Sequence, residues 1–246
     1  GFELYFQPLY SMHEERLKAF EALIRWPHAE AGMISPVDFI PLAEETGLIV
    51  QIGEWVIREA CRQAASWPDD LSVAVNISPK QFQCPNLATI VLSALASSGL
   101  PAHRLELEIT ESIFISNLEK TLEALHSLRA LGVRIALDDF GTGYSSLSYL
   151  RSFPFDKLKI DQSFVRDLTL DGNANAMIRA ITTLADALGM ETLAEGVEDE
   201  AQAAILRQEG CHQIQGYLLS KPIDARAVHV FIAAMADEAD GQRRRA

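Results

Sequence analysis

The chain has 246 residues, of which 48% are hydrophobic and 22% are charged. This is ordinary globular composition and excludes a disordered protein. The formal net charge of −13 excludes a nonspecific binder of nucleic-acid polymers, because such binding needs a basic surface. No apolar run approaches the roughly 18 residues of a membrane span and no signal peptide opens the chain, so we expect no membrane contact within this segment.

The three cysteines, Cys61, Cys84 and Cys211, are widely spaced and form no CxxC pair. This pattern disfavours a disulfide framework or a zinc cluster and indicates a reducing, cytoplasmic location. The chain begins with glycine, not methionine. We expect it to be a domain of a longer protein, which could carry a membrane anchor elsewhere.

In chain order, short β-favouring segments alternate with longer segments of helical periodicity. Strands are predicted at 3–9, 18–25, 71–76, 105–110, 133–138, 157–160, 191–194 and 213–217. The clearest helices are predicted at 53–66, 88–98, 118–131, 174–188 and 201–208. Such an alternation of eight strands with helices is typical of an α/β fold, the (β/α)₈ TIM-like barrel. A doubly wound open sheet is the alternative, which is disfavoured because no glycine-rich phosphate turn follows an early strand.

The connection between the first two predicted strands is too short for a crossover helix. These strands should therefore form an antiparallel pair, which predicts a barrel with an antiparallel first strand. We expect one domain over residues 1–236 and a disordered polar tail over 237–246, where three arginines occur near the end.

Polar side chains recur where the predicted strands end, and one acid lies within an apolar strand. They are Glu21, Asn76, Glu108, Asp138, Asp139, Lys159, Glu195 and Gln215. The carboxyl ends of barrel strands meet on one face, where active sites are built. Several carboxylates brought together need a counter-charge. Oxygen ligands without His or Cys favour hard cations such as Mg²⁺ or Mn²⁺.

These residues belong to motifs that resemble the EAL-domain phosphodiesterases of bacterial cyclic di-GMP signalling. The resemblance covers about residues 4–231. It rests on EAL at 21–23, NIS at 76–78, EITE at 108–111, DDFGTGYSS at 138–146, KID at 159–161, AEGVE at 194–198 and QGY at 215–217.

The resemblance implies hydrolysis of cyclic di-GMP to linear pGpG with two divalent cations, Mg²⁺ or Mn²⁺, and inhibition by Ca²⁺. It assigns the first metal to Glu21, Asn76, Glu108 and Asp138, and the second to Asp138, Asp139 and Glu195. Glu195 would be a ligand or general base and Lys159 would orient the attacking water. Gln215 would support the second metal site.

The resemblance also implies the residues that bind the substrate and those that regulate the site. Gln7 and Arg25 resemble the family's ligand contacts, and Glu198 resembles an acid near the site. Asp161 has two open interpretations, a contact to a guanine edge or the cap of the next helix. The loop 140–146, with Phe140, Gly141, Thr142, Gly143 and Tyr144, resembles a mobile loop that Glu111 anchors and that couples dimer contacts to metal binding. We therefore expect a homodimer, fused to a sensor or GGDEF-type domain.

Two alternatives stay open at this point. One is a catalytically silent receptor that binds cyclic di-GMP without turnover. The other is a different barrel enzyme, such as a metal-dependent lyase, because such sites also gather acids around Mg²⁺ and use a lysine base. The adjacent Asp138 and Asp139 favour a site with two metals over the lyase.

Overall fold

The computed structural model describes residues 1–114, 118–141, 150, 152–168 and 172–243. Its strands are β1 (Glu3–Ser11), β2 (Arg16–His28), β3 (Gly32–Ile34), β4 (Ser72–Asn76), β5 (Leu105–Thr110), β6 (Arg134–Phe140), β7 (Lys157–Ile160), β8 (Glu191–Ala194), β9 (Gln213–Ile214) and β10 (Ile223–Asp224). Its α-helices are α1 (Pro36–Thr46), α2 (Ile49–Ala64), α3 (Pro79–Phe82), α4 (Leu87–Ser98), α5 (Leu118–Ala130), α6 (Gln162–Arg166), α7 (Gly172–Ala187), α8 (Glu200–Gln208) and α9 (Val228–Arg243).

Eight of these strands close into a barrel in the order β1-β2-β4-β5-β6-β7-β8-β9, with β9 returning to β1. Within the barrel, the six pairings from β2–β4 round to β8–β9 are parallel. Strand β1 is antiparallel to both of its neighbours, β2 and β9. The predicted TIM-like barrel with an antiparallel first strand is therefore confirmed.

The hairpin of β1 and β2 places residues from both strands at the same level of the barrel. Glu3 lies opposite Arg25 and Ser11 lies opposite Arg16, with a bulge between Leu9 and Tyr10. In this register Gln7 lies opposite Glu21. Residues that lie directly opposite each other in an antiparallel pair point to the same face of the sheet. The pairing therefore brings Gln7 and Glu21 to the same face.

The main hydrophobic core lies between the sheet and the surrounding helices. Its strand residues alternate along the sequence, as in Val73 and Val75 or Leu105 and Leu107. The opposite face, which lines the inside of the barrel, has a small separate apolar cluster of Leu9, Ala19 and Leu193. Glutamates and lysines are also buried within these strands.

Several elements differ from the sequence prediction. Strands β3 and β10 and helices α1, α3 and α9 were not predicted. Helix α1 has Pro41 within it, which the sequence pattern favours as a break. Strand β9 ends at Ile214, so Gln215 lies just after the strand. Helix α9 continues to Arg243, beyond the boundary expected at 236, and that domain boundary stays a prediction. Among the described helices, none combines the length and the apolar character that a membrane crossing requires.

Candidate active site

The ammonium group of Lys159 is the centre of the acidic cluster at the carboxyl ends of the strands. Lys159 projects from β7 and is 1% exposed. Its Nζ lies 2.8 Å from Glu195 Oε1, 2.9 Å from Glu108 Oε2 and 3.1 Å from Asp138 Oδ2. Glu21 Oε1 is further away, at 3.9 Å. One lysine thus contacts carboxylates that come from four different strands or strand ends.

A second group of contacts fixes the carboxylate of Glu21. Asn76 Nδ2 donates a hydrogen bond to Glu21 Oε1 at 2.6 Å. Gln215 Nε2 donates to Glu21 Oε2 at 2.6 Å and to Gln7 Oε1 at 3.1 Å. Both oxygens of Glu21 are therefore oriented by amides, and the Oδ1 atom of Asn76 is left for another partner.

The backbone at Asp139 brings two consecutive carboxylates together. Asp139 has a φ of 56°, in the left-handed region that few residues other than glycine adopt. Its backbone N–H donates to Asp138 Oδ1 at 2.9 Å. Neighbouring residues of a regular strand point to opposite faces, so this turn lets both aspartates serve one site. Ligand oxygens of Asp138, Asp139 and Glu195 all lie within 4.8 Å of one another.

The environment of the cluster shifts the pKa values of several of its residues. Burial raises the pKa of Glu108 well above its ordinary value, despite the opposing charge of Lys159. Burial likewise raises the pKa of Glu195, to about 7, and that of Asp139, where the charge of Asp138 adds to the effect. For Lys159, burial lowers the pKa, but the carboxylates of Asp138 and Glu108 outweigh it and hold the pKa well above the usual range.

The pKa of Glu21 shifts in the opposite direction, below its ordinary value. Burial acts to raise its pKa, but the charge of Lys159 and the hydrogen bonds from Gln215 and Asn76 outweigh burial and hold the pKa below the ordinary value. Glu21 is thus ionised in the folded protein, whereas Glu108 and Glu195 resist losing a proton. Additional positive charge would relieve that resistance.

The site meets the requirements for binding hard cations. Glu108 Oε1 and Gln215 Oε1 are buried side-chain oxygens without a hydrogen-bond partner, which is costly unless another group binds them. The donors of the cluster are carboxylate and amide oxygens, which divalent cations such as Mg²⁺, Mn²⁺ and Ca²⁺ prefer. The residues present therefore fit the metals that the sequence predicts.

The other predicted residues lie around this cluster. Gln7 and Glu198 line the cleft above it. Arg25 lies over the ring of Tyr5, 5.7 Å from its centroid. Asp161 caps α6, since its side chain accepts a hydrogen bond from the backbone N–H of Ser163 at 3.0 Å. This is the contact that the capping interpretation of Asp161 predicts.

The predicted regulatory loop is described only in part. Phe140 is buried, and Gly141 has a φ of +94° with the ring of Phe164 against its Cα, where a Cβ would be 2.8 Å from that ring. Glu111 lies in a short 3₁₀ turn after β5. Thr142, Gly143 and Tyr144 lie outside the described residues.

Some residues of the cleft carry no role in the sequence prediction. They are Leu23, Gln162, Gly196, Gly216 and Tyr217. Tyr217 lines this cleft and is 58% exposed. Its position two residues after Gln215 is the sequence signal that would have identified it.

Together, these features define a TIM-like barrel with an acidic, cation-binding type of site at the carboxyl ends of its strands. Comparison with known proteins identifies the family. The chain belongs to the EAL domain family, whose model matches residues 1–222.

The chain is similar to two cyclic di-GMP phosphodiesterases and to a solved structure of one of them. MucR of Pseudomonas aeruginosa, a bifunctional diguanylate cyclase/cyclic di-GMP phosphodiesterase, is 44% identical over 94% of this chain and 34% of its own length. The cyclic di-GMP phosphodiesterase PdeR of Escherichia coli is 42% identical over 91% of this chain and 34% of its own length. A solved structure of the MucR phosphodiesterase in complex with c-di-GMP has a TM-score of 0.88 at 44% identity, and the match covers 92% of this chain and 94% of that chain. The chain spans about a third of the length of the curated relatives it matches.

Proposed function

We propose that this chain hydrolyses cyclic di-GMP to linear pGpG with the help of two divalent cations, Mg²⁺ or Mn²⁺. The observation that carries the proposal is the contact of Lys159 with the carboxylates of Glu108, Asp138 and Glu195 at 2.8 to 3.1 Å. The fold, the family and the c-di-GMP complex of a relative with 44% identity support the same substrate.

The proposed metal ligands are the oxygens of the acidic cluster. Glu21, Asn76, Glu108 and Asp138 would hold one cation, and Asp138, Asp139 and Glu195 would hold the other. A pair of cations supplies the positive charge that activates a water molecule and stabilises both the attacking and the leaving oxygen. The left-handed backbone at Asp139 supports this assignment, because it turns two successive carboxylates toward one site.

Two side chains are proposed to act on the reacting water. Lys159 stays protonated, so it donates hydrogen bonds and orients the water's oxygen. Glu195 has a pKa of about 7 in the protein alone, which suits a carboxylate that accepts a proton near neutral pH. Gln215 orients Glu21 through its hydrogen bond and so supports the site indirectly.

Residues around the cleft are proposed to bind the rest of the dinucleotide. Arg25 suits a phosphate, because its planar guanidinium can donate two parallel hydrogen bonds. Gln7 and Glu198 face the cleft and can contact polar edges of the bases. The exposed ring of Tyr217 offers a surface on which a guanine can stack. A contact of Asp161 to a guanine edge stays a prediction beside its role as a helix cap.

The proposal is tested by incubating the purified chain with cyclic di-GMP and Mg²⁺ or Mn²⁺ and separating the products by chromatography. We expect pGpG in both cases, no product in EDTA, and inhibition by Ca²⁺, whose longer bonds and looser geometry fit the catalytic arrangement badly. Binding of cyclic di-GMP without product in either metal would instead support the silent receptor.

The setting of the domain is also part of the proposal. The chain spans about a third of its relatives' length, and MucR is a bifunctional diguanylate cyclase/cyclic di-GMP phosphodiesterase. Both facts support a fusion to a sensor or GGDEF-type domain. We propose a cytoplasmic location, where the scattered cysteines stay reduced. A homodimer that regulates the site through loop 140–146 would make specific activity rise with protein concentration, and a flat response would count against it.

A further inference from the structure

A second layer of buried charges lies inside the barrel, one level below the acidic cluster. Lys157 Nζ donates a hydrogen bond to Glu106 Oε1 at 2.5 Å, and both side chains are nearly inaccessible to solvent. Lys157 and Lys159 are two residues apart on β7, as are Glu106 and Glu108 on β5. Each strand therefore presents its two charges on the same face, and two lysine–glutamate pairs are stacked along the barrel axis.

The strand between β5 and β7 allows both pairs to form. Ala136 of β6 pairs with Glu108 on one side and with Lys157 on the other. Its small side chain leaves room for long side chains to meet across β6. Lys157 reaches Glu106 in the lower layer, and Lys159 reaches Glu108 in the upper layer.

The lower layer gives Glu106 a cation of its own. Arg134 is the other cation near it, with Nε at 3.5 Å from Oε2, but its NH2 is committed to Glu191 at 2.6 Å. Oε1 of Glu106 therefore depends on Lys157. Successive residues on one face of a strand are about 6.6 Å apart, which is within reach of a lysine side chain that changes its rotamers.

From this arrangement we infer that Lys157 is a positioning residue for Lys159. By neutralising Glu106, it removes the competition of that carboxylate with the acidic cluster for the ammonium group of Lys159. The inference rests on the proposed function. The position of Lys159 affects turnover because Lys159 is proposed to orient the reacting water. Bound cations would share the negative charge of the acidic cluster. Lys159 would then be attracted less strongly to that cluster, so the competition from Glu106 would be greatest in that state.

The inference predicts an asymmetry between the two members of the pair. Lys157→Met leaves Glu106 charged without its partner, and Lys159 turns toward it; we expect kcat for cyclic di-GMP to fall at least about tenfold, with KM within about twofold. Glu106→Gln removes the competing carboxylate and keeps an amide oxygen that can accept a hydrogen bond from Lys157, so kcat should stay within about threefold of the wild type. The double variant Lys157→Met/Glu106→Gln should recover kcat, and Lys157→Arg should retain it.

Two further measurements separate positioning from a merely structural role. Both single variants break the Lys157–Glu106 ion pair, so both melting temperatures in EDTA should fall, whereas only Lys157→Met should lose kcat. A crystal structure of Lys157→Met should show Lys159 Nζ within 4 Å of Glu106. If Lys157→Met does not fold, Lys157→Gln is the second uncharged variant.

Equal losses of kcat in Lys157→Met and Glu106→Gln would overturn the inference, as would full activity in Lys157→Met. A wild-type chain that forms no pGpG would overturn the proposed function instead, so the two failures are distinguishable.

Discussion

At the scale of single residues, the site balances several carboxylates against one ammonium group. Glu21, Glu108, Asp138 and Glu195 all approach Lys159, and one positive charge cannot neutralise four negative ones. Burial is the main cause of the raised pKa values of Glu108 and Glu195, and the neighbouring carboxylates of Glu21 and Asp138 add to it. The side chains are thus arranged for additional cations, and removing one shared ligand should affect both of them.

Asp138→Asn tests the shared ligand. The amide keeps the size of the side chain but loses its charge, so we expect both cations to bind more weakly and kcat/KM for cyclic di-GMP to fall at least about a hundredfold. The substitution weakens the contact with Lys159 but relieves repulsion from the neighbouring carboxylates, so the melting temperature in EDTA should change little. Asp167→Asn, which changes an exposed acid outside the cleft, is the matched control. An Asp138→Asn variant with near-normal turnover would contradict the assignment.

Tyr217→Ala tests the proposed stacking of a base. Stacking on an aromatic side chain contributes about 1–3 kcal/mol per base, so KM for cyclic di-GMP should rise between about fivefold and a hundredfold. Tyr217→Phe retains the ring and should stay close to the wild type. The small diester bis(p-nitrophenyl) phosphate has no purine, and its turnover should be the same in all three proteins. An unchanged KM in Tyr217→Ala would remove this ring from the substrate site.

At the scale of elements, the segments after β8 and β9 hold each other in place. The backbone N–H of Val197 donates to Gln215 O at 3.0 Å, and the N–H of Leu218 donates to Val197 O at 3.0 Å. Gly216 lies between these bonds, where an added Cβ would be 2.1 Å from Val197 O and 2.3 Å from Val197 N. Only glycine permits this approach, which fixes Glu195 relative to Gln215.

Gly216→Ala should therefore separate the two segments. We expect a loss of several degrees in melting temperature and at least a tenfold fall in kcat/KM, since a small displacement of catalytic groups is costly. Gly210→Ala is the control, because Gly210 has a φ of +78° with open space around it. That variant should lose about 1–2 kcal/mol of stability through backbone strain and keep its activity. A Gly216→Ala variant that loses no more activity than this control would contradict the role of the approach.

The sequence predicted strong periodic elements well and irregular ones poorly. The predicted strand at 157–160 and the predicted helix at 88–98 agree with β7 and closely with α4, because strand length, apolar pattern and helix stops are local properties. Strand β10 is two residues long and depends on pairing with β1, which no local pattern reveals. The acids of the site were predicted from their chemistry at strand ends. The Lys157–Glu106 pair and the approach of Gly216 to Val197 arise from tertiary contacts, so they appear only in the structure.

At the scale of the whole molecule, the buried cluster links folding to pH. In the unfolded chain Glu195 has its ordinary pKa of 4.5, whereas in the folded protein without metal the pKa is about 7. Between these values the folded protein retains a proton that the unfolded chain has released. Raising the pH through this range therefore lowers the free energy of unfolding. Glu108 contributes in the same direction.

We therefore expect the melting temperature in EDTA to fall as the pH rises from 5 to 8. The fall should be smaller in Glu195→Gln, which has no proton to lose at this position. Adding Mg²⁺ at pH 8 should restore stability to the wild type, by about 2.7 kcal/mol at a concentration a hundred times the dissociation constant. Identical pH dependence in the two proteins would show that Glu195 does not titrate in this range.

The reversed direction of β1 has a consequence for any longer polypeptide that contains this fold. Glu3 pairs with Arg25, near the end of β2, so the start of β1 lies on the same side as the catalytic cleft. In a protein with residues ahead of this segment, the incoming connection would arrive there, only a few positions before Gln7. A displacement of a neighbouring module could then be transmitted along β1, a single extended strand, to Gln7 in the cleft.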